Sequence, residues 1–133
     1  MEMVIDFPGG SRVDAHVGPF TVATDQPPDA SAPSPFAMFL VSIGTCAGIY
    51  VLGFCQQRGL PTDGLRIVEK THAGADGMVE RIELGVELPA DFPGKYRDAV
   101  IRSAEQCTVK KHLERPPIID VTTHTSAPAT AAV

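Results

Sequence analysis

The chain has 133 residues, a net charge of −5 at pH 7 and a sequence pI near 5.2. This length suits one domain, and we predict a single domain over residues 1–125 followed by a flexible tail over residues 126–133. An acidic chain without a cluster of basic residues is not expected to bind nucleic acid, because a phosphate backbone demands a basic face. The pair Lys110-Lys111 is too short to provide one.

The first 35 residues predict short strands followed by a loop. Apolar side chains alternate with polar or small ones from Met3 to His16 and again from Val17 to Thr24, which is typical of half-buried strands. The sequences Gly9-Gly10 and Gly18-Pro19 indicate tight turns between them, so an antiparallel meander is predicted. Residues 25–35 contain four prolines and therefore predict a loop that is neither helix nor central strand.

An uncharged, apolar stretch from Phe36 to Cys55 is the most prominent feature of the sequence. Ser34 is placed to cap a helix, Pro35 suits its first position, and Gly59 is placed to end it. A helix this long and apolar must be hidden on nearly every side, and a chain of this size is too small to cover it alone. The sequence therefore predicts a long buried helix that is covered in part by a partner subunit.

The same stretch permits a second interpretation, in which it spans a membrane. About twenty apolar residues is the length of a bilayer span, and Gly44 and Gly48 have the spacing that lets membrane helices pack closely. However, the N-terminal flank lacks basic anchors, and the rest of the chain has the pattern of amphipathic strands and an amphipathic helix. We therefore favour a buried helix without a membrane.

The remainder of the chain predicts two strands, two helical segments and a last strand. The strands are expected at Leu65–Thr71 and Val79–Leu88, where apolar and polar side chains alternate. A helix opens near Gly94, a short second helix covers Thr108–Glu114, and a last strand covers Ile118–Thr123. This order predicts an α+β fold with mostly antiparallel pairing. The apolar stripe of the first of these helices consists of Tyr96, Val100, Ala104 and Cys107.

The motif content excludes several kinds of site. No C-x-x-C pair is present, and the three cysteines and four histidines do not occur at metal-ligand spacing, so no metal site is predicted. The same absence argues against a thioredoxin-type dithiol, and without G-x-S-x-G there is no starting point for a hydrolase. The acidic residues among the first six do not fit a signal peptide. Unpaired cysteines in such a chain predict a reducing cytoplasm.

The chemistry is expected to involve the thiols of Cys46 and Cys107. Cys55 lies nine residues after Cys46, about half a turn away on the predicted helix, so these two cannot share a site. Cys107 lies beside Lys110 and Lys111 at the start of a short helix, where backbone N–H groups and cations favour a thiolate. We therefore expect Cys107 to ionise more readily than Cys46. The alternative is that the cysteines only fill space in the core.

Two segments of the chain resemble the OsmC/Ohr family of thiol-dependent hydroperoxide reductases. One runs from Ser34 to Cys46 (SPFAMFLVSIGTC) and the other from Cys107 to Leu113 (CTVKKHL). In that family a Ser/Asn-Pro pair leads into a central helix with one cysteine, and a second cysteine precedes a short helix. The resemblance implies an OsmC-like α+β fold. It also implies an intertwined homodimer, in which long buried central helices pack between antiparallel or mixed sheets.

The resemblance also implies a thiol peroxidase that protects against oxidative stress. Cys46 would attack the O–O bond of an organic hydroperoxide and become a sulfenic acid, and Cys107 would resolve it to a disulfide. A small or lipoyl-type dithiol would then reduce the disulfide. No cofactor is implied, because sulfur supplies both electrons. An arginine from the N-terminal strands steadies the thiolate in this family, and Arg12 is the matching position.

A binding protein, which belongs to a different functional class, is the alternative. The family usually has a glutamate one or two residues after the proline, and this chain has Phe36 and Ala37 there. In this alternative a pocket beside Cys46, lined by Phe36, Phe39 and residues of a partner, holds an apolar small ligand. Its peroxidase activity is then weakened or lost.

Overall fold

The computed structural model describes residues 1–125. Within them it contains three α-helices and two antiparallel sheets, which confirms the predicted α+β class. The predicted tail at residues 126–133 lies outside the described residues, and the single domain over residues 1–125 stays a prediction. In chain order the elements are β1 (Val4–Gly9), β2 (Arg12–Val17), β3 (Phe20–Thr24), α1 (Pro35–Gln57), β4 (Arg66–Ala73), β5 (Val79–Glu87), a 3-10 turn (Gly94–Tyr96), α2 (Arg97–Ala104) and α3 (Thr108–Glu114).

The first sheet is the predicted meander, in the order β1-β2-β3. Its register pairs Ile5 with Ala15 and Ala15 with Val22, so one face carries a row of apolar side chains. The sheet packs mainly within itself. Ile5 and Phe7 consequently remain 53% and 80% exposed.

The loop between β3 and α1 is organised by the carboxylate of Asp25, which is 2% exposed. Ser11 Oγ donates to it at 2.6 Å, and Ser31 donates through its Oγ at 2.5 Å and its N–H at 2.8 Å. The Gln26 N–H donates at 2.7 Å. These hydrogen bonds, with Ser11 first and Ser31 next, hold the pKa of Asp25 below its usual range. These hydrogen bonds therefore fix the conformation of the loop that precedes α1.

Helix α1 begins and ends where the sequence predicts. Ser34 Oγ accepts the Ala37 N–H at 3.1 Å, Pro35 lies in the first turn, and Gly59 follows the helix at φ +61. One face of α1 is buried within its own chain, where it packs against α2 and the β4-β5 sheet. The buried residues of that face are Ile43, Ala47, Val51 and Cys55.

The opposite face of α1 is not covered by the described chain. Val41, Ile49 and Leu52 are 47%, 69% and 41% exposed, and Val41 and Leu52 lie at the edge of this face, where they also line a cavity beside β4. By length and composition α1 is the one helix within residues 1–125 that is apolar enough to cross a membrane, a criterion that core helices of soluble proteins also meet. Residues 1–125 of one chain thus do not bury α1 on nearly every side.

The predicted last strand at Ile118–Thr123 is wrong for the single chain. No strand is assigned there, and Ile118, Ile119 and Val121 are 89%, 82% and 89% exposed. A strand forms only where a neighbouring strand takes up its backbone hydrogen bonds, and none of the described strands pairs with this segment. Helix α3 does end before Pro116-Pro117, as predicted.

Candidate thiol site

The structure places the thiols of Cys46 and Cys107 near each other where α1 meets α3, and each thiol shifts the pKa of the other. Cys107 is the N-cap residue of α3, and it does not extend the apolar stripe of α2 as the sequence predicts. Its Sγ accepts the Lys110 N–H at 3.4 Å and lies 3.9 Å from the Ile43 carbonyl oxygen. Cys107 is 2% exposed, whereas Cys46 is partly exposed. Cys46 is therefore the more accessible sulfur.

The two thiols differ in how readily they ionise. Burial raises the pKa of Cys46, but hydrogen bonds from the Val109 N–H, the Cys107 thiol and the Thr108 N–H outweigh it, and the pKa is lowered. For Cys107, burial prevails over the Lys110 N–H, and the hydrogen bond and charge of Cys46 add to it, so the pKa is raised. The prediction that Cys107 ionises more readily is therefore wrong, because α3 donates two N–H groups to Cys46.

Further residues that the sequence does not single out hold α3 and α2 against α1. The Tyr50 hydroxyl lies 2.9 Å from Thr108 Oγ1, and Ser103 Oγ donates to the Tyr50 carbonyl oxygen at 2.9 Å. Tyr50 follows Cys46 by four residues, so helical spacing places both on one side of α1 and could have indicated Tyr50. The backbone donors of Thr108 and Val109 carry no sequence signal, since almost every residue has an N–H.

Cys55 lies on another side of α1 and belongs to the core. It is fully buried in a cluster with Val51 and Val100. Burial raises the pKa of its thiol, and the charge of Arg58 opposes this more weakly. Cys55 is thus neither accessible nor readily ionised. Nowhere in residues 1–125 do three or more His, Cys, Asp or Glu side chains form a group that could hold a metal ion.

Arg12 is not part of the thiol site within one chain. It lies at the start of β2, and its guanidinium donates to Asp14 at 2.7 Å. Neither residue is among the groups that shift the pKa of Cys46. The role that the resemblance gives to Arg12 therefore stays a prediction.

A cavity of about 460 Å³ between α1 and β4 contains the carboxylate of Glu69. Gly44 leaves room for this group, because a Cβ there would come within 2.8 Å of Glu69 Oε2. Burial raises the pKa of Glu69, and its shielded Oε1 has no hydrogen-bond partner among residues 1–125. Glu69 does not contribute to the pKa of Cys46.

A second cavity, also about 460 Å³, lies between α1, the β4-β5 sheet and the two short helices. Its wall includes Ile43 and Lys110, whose backbone groups contact Cys107. Phe36 and Phe39 stack on each other at the surface of one chain with ring centroids 5.7 Å apart, and a pocket that they line together with residues of a partner stays a prediction. The ligand-sized space near the thiols is therefore on the Cys107 side of α1.

The matches to known proteins agree with this fold. A family model described as OsmC-like protein matches residues 28–122, and no curated protein matches the chain. An OsmC like protein from Mycoplasma pneumoniae has 15% identity and a TM-score of 0.70, with 85% of this chain and 86% of that chain covered. A candidate osmotic stress induced and detoxification response protein from Psychrobacter arcticus 273-4 has 18% identity and a TM-score of 0.69, with 82% and 85% covered. An OsmC-like protein of unknown function from Vibrio cholerae O1 biovar eltor has 8% identity and a TM-score of 0.57, with 85% and 92% covered.

Proposed function

We propose, from the premise that the chain belongs to the OsmC-like protein family, that it reduces organic hydroperoxides through the thiol of Cys46. The observation that carries the proposal is the proximity of two thiols whose pKa values are shifted in opposite directions. The pKa of Cys46 is lowered and that of the buried Cys107 is raised. A thiolate is the nucleophile that attacks an O–O bond, and a neighbouring thiol converts the product to a disulfide. Cys46 suits the first role and Cys107 the second.

In the first step the Cys46 thiolate attacks the distal oxygen of the hydroperoxide. The S–O bond forms, the O–O bond breaks, and the departing alkoxide takes a proton from water to become an alcohol. Cys46 is left as a sulfenic acid. The sulfur supplies both electrons, so this step calls for no cofactor.

In the second step Cys107 attacks the sulfenic acid of Cys46. Cys107 loses its proton, the S–S bond forms, and the hydroxide that leaves Cys46 is protonated to water. A small or lipoyl-type dithiol then reduces the disulfide by thiol exchange and is itself oxidised. A reducing cytoplasm is the setting that we propose, because dithiol reductants are maintained there.

We propose that the active form is a homodimer in which a second copy covers the apolar surfaces left open in one chain. These surfaces are the outer stripe of α1 (Val41, Ile49 and Leu52), the apolar face of the first sheet, and residues 118–121. Apolar surface of this extent is typical of an interface. Crossing of two α1 helices through their outer stripes would produce the intertwined arrangement. Arg12 would then act on Cys46 from the second copy, because it has no such contact within one chain.

The proposal is tested by the dithiol-dependent consumption of tert-butyl hydroperoxide. The rate of hydroperoxide consumption by Cys46→Ser should fall to the uncatalysed rate, since the attacking sulfur is gone. Cys55→Ala is the matched control and should keep its activity, because Cys55 lies in the core. Cys107→Ser should form a sulfenic acid that dimedone traps, without forming the intramolecular disulfide. Activity of Cys46→Ser equal to that of the wild type would overturn the proposal.

The cavity beside Cys107 favours a second candidate function, the binding of an apolar small molecule. Its volume of about 460 Å³ and its wall of branched aliphatic side chains, including Ile82 and Leu84, suit such a ligand. Native mass spectrometry of the purified protein would detect a co-purified ligand, and Ile82→Trp, which fills the cavity, should release it. A bound ligand together with a wild type that consumes no hydroperoxide would favour binding over catalysis.

A further inference from the structure

The side chain of Tyr50 ties α3 to α1 beside the thiol site. Its hydroxyl lies 2.9 Å from Oγ1 of Thr108, the first residue of α3. The backbone carbonyl oxygen of Tyr50 accepts a hydrogen bond from Ser103 Oγ of α2 at 2.9 Å. One residue of α1 therefore contacts both of the short helices that follow the second sheet.

Helix α3 depends on hydrogen bonds of this kind to the rest of the fold. It has seven residues, and none of them is buried. A helix this short is marginal without tertiary contacts. The Cys107 thiol supplies one contact with α1, but its Sγ lies 3.9 Å from the Ile43 carbonyl oxygen, and a thiol is a weak donor. The bond between Tyr50 and Thr108 is shorter and joins two hydroxyl groups, which are stronger partners.

The position of Thr108 matters because the N–H groups of Thr108 and Val109, which follow the cap residue Cys107 at the start of α3, are among the groups that lower the pKa of Cys46. A hydrogen bond stabilises a charged sulfur only while the donor is held close and aligned. Cys46 is fixed in the long helix α1, whereas both donors belong to the short one. If α3 moved away from α1, the sulfur would lose the two donors without moving itself.

We propose that Tyr50 is a positioning residue of the thiol site, whose hydroxyl holds Thr108 so that the backbone donors of α3 face Cys46. The proposal rests on the proposed function of Cys46 as the reactive thiol. It extends that site to a residue that touches no reacting atom. Tyr50 acts through Thr108 on the proton affinity of the sulfur.

The experiment measures alkylation of Cys46 by iodoacetamide as a function of pH, quantified on the Cys46 peptide by mass spectrometry. Tyr50→Phe should move the alkylation midpoint to higher pH. At pH 7 it should slow alkylation about fivefold, the factor expected for one ordinary hydrogen bond. Thr108→Val should do the same, and Thr108→Ser, which keeps the hydroxyl, should match the wild type. The double variant Tyr50→Phe/Thr108→Val should be no slower than either single one.

The matched control is Tyr96→Phe, which removes the hydroxyl of the other tyrosine in the chain. Tyr96 packs edge-on against Phe54, with 6.1 Å between ring centroids, and its variant should be alkylated at Cys46 like the wild type. Wild-type alkylation of Tyr50→Phe at every pH would overturn the proposal. A shift of the alkylation midpoint in Thr108→Ser as large as that in Thr108→Val would overturn the proposal as well. This pair of variants tests the proposal even if Tyr50→Phe fails to fold.

Alkylation consumes no peroxide, so the two proposals fail separately. A shifted midpoint in Tyr50→Phe, with a wild type that reduces no hydroperoxide, would overturn the proposed function and support the positioning role. A wild type that reduces hydroperoxide, with an unshifted Tyr50→Phe, would overturn the positioning role alone.

Discussion

The two sheets of this protein have similar alternating sequences but different surroundings. The β4-β5 sheet packs on the inner face of α1, where Ile67 and Val86 contact the core around Val51. The β1-β2-β3 sheet has no such cover from residues 1–125, and Phe7 and Phe20 are 80% and 69% exposed. An apolar sheet face is stable only when another layer covers it. The second sheet is therefore stabilised within one chain, whereas the apolar face of the first is the surface that we propose a second copy covers.

The thiol site lies in the part of the molecule where α1 packs against α2, α3 and the β4-β5 sheet of its own chain. Cys46 and Cys107 belong to α1 and to the start of α3, both of which contact elements of their own chain. Arg12 belongs to the uncovered sheet and is bound to Asp14. The two thiols consequently lie near each other within one chain, whereas Arg12 is not among the groups that act on Cys46 there.

The largest effect is expected from a charge on the uncovered stripe of α1. Ile49 is 69% exposed in one chain, so in a monomer Ile49→Asp would change the free energy of unfolding by less than about 0.5 kcal/mol. In the proposed dimer the carboxylate would be buried without a partner. We then expect dissociation and a loss of about 3–5 kcal/mol. Size-exclusion chromatography with light scattering, together with thermal unfolding, measures both effects.

Gln57→Glu is the control for Ile49→Asp. It adds the same charge to α1 at an exposed position outside the stripe, and it should leave the assembly unchanged. A dimeric Ile49→Asp variant with wild-type stability would remove the outer stripe of α1 from the proposed interface.

An intermediate effect is expected in the core that α1, α2 and the β4-β5 sheet form within one chain. Val100 is 1% exposed, and Val100→Ala leaves a cavity beside Val51 and Cys55 that costs about 2 kcal/mol. Urea denaturation at one fixed protein concentration measures this loss. Ile101→Ala alters the neighbouring residue, which is 53% exposed, and should cost clearly less. An equal cost at Ile101 would mean that its side chain, at the edge of the second cavity, is covered too.

The smallest effect concerns Asp25, which anchors the loop between the uncovered sheet and α1. Hydrogen bonds from Ser11 first, and then from Ser31, hold its pKa below the usual value. The carboxylate therefore stabilises the fold above the unfolded-state pKa, and this contribution is lost as the pH falls through that value toward the lower folded one. Asp25→Asn should lower Tm at pH 7, and the difference from wild type should shrink below about pH 4. A difference that does not depend on pH would contradict this account.

The sequence is sufficient for most of the secondary structure because the relevant signals are local. Ser34 and Gly59 bound α1 through contacts within a few residues, and the alternation at Val79–Leu88 marks β5 directly. The strand predicted at Ile118–Thr123 has the same kind of local signal but does not form in one chain. A strand needs a neighbour, and no local pattern states whether one is available.

Within the candidate site, the sequence by itself identified Cys46 and Cys107, because residue type and the segments around them are properties of the chain. Only the tertiary structure decided which of the two thiols ionises more readily. That outcome depends on the N–H groups of Thr108 and Val109, which reach Cys46 from more than sixty residues away in the chain. The acidity of a thiol follows from the donors that surround it in space, and those donors become neighbours only when α3 packs against α1.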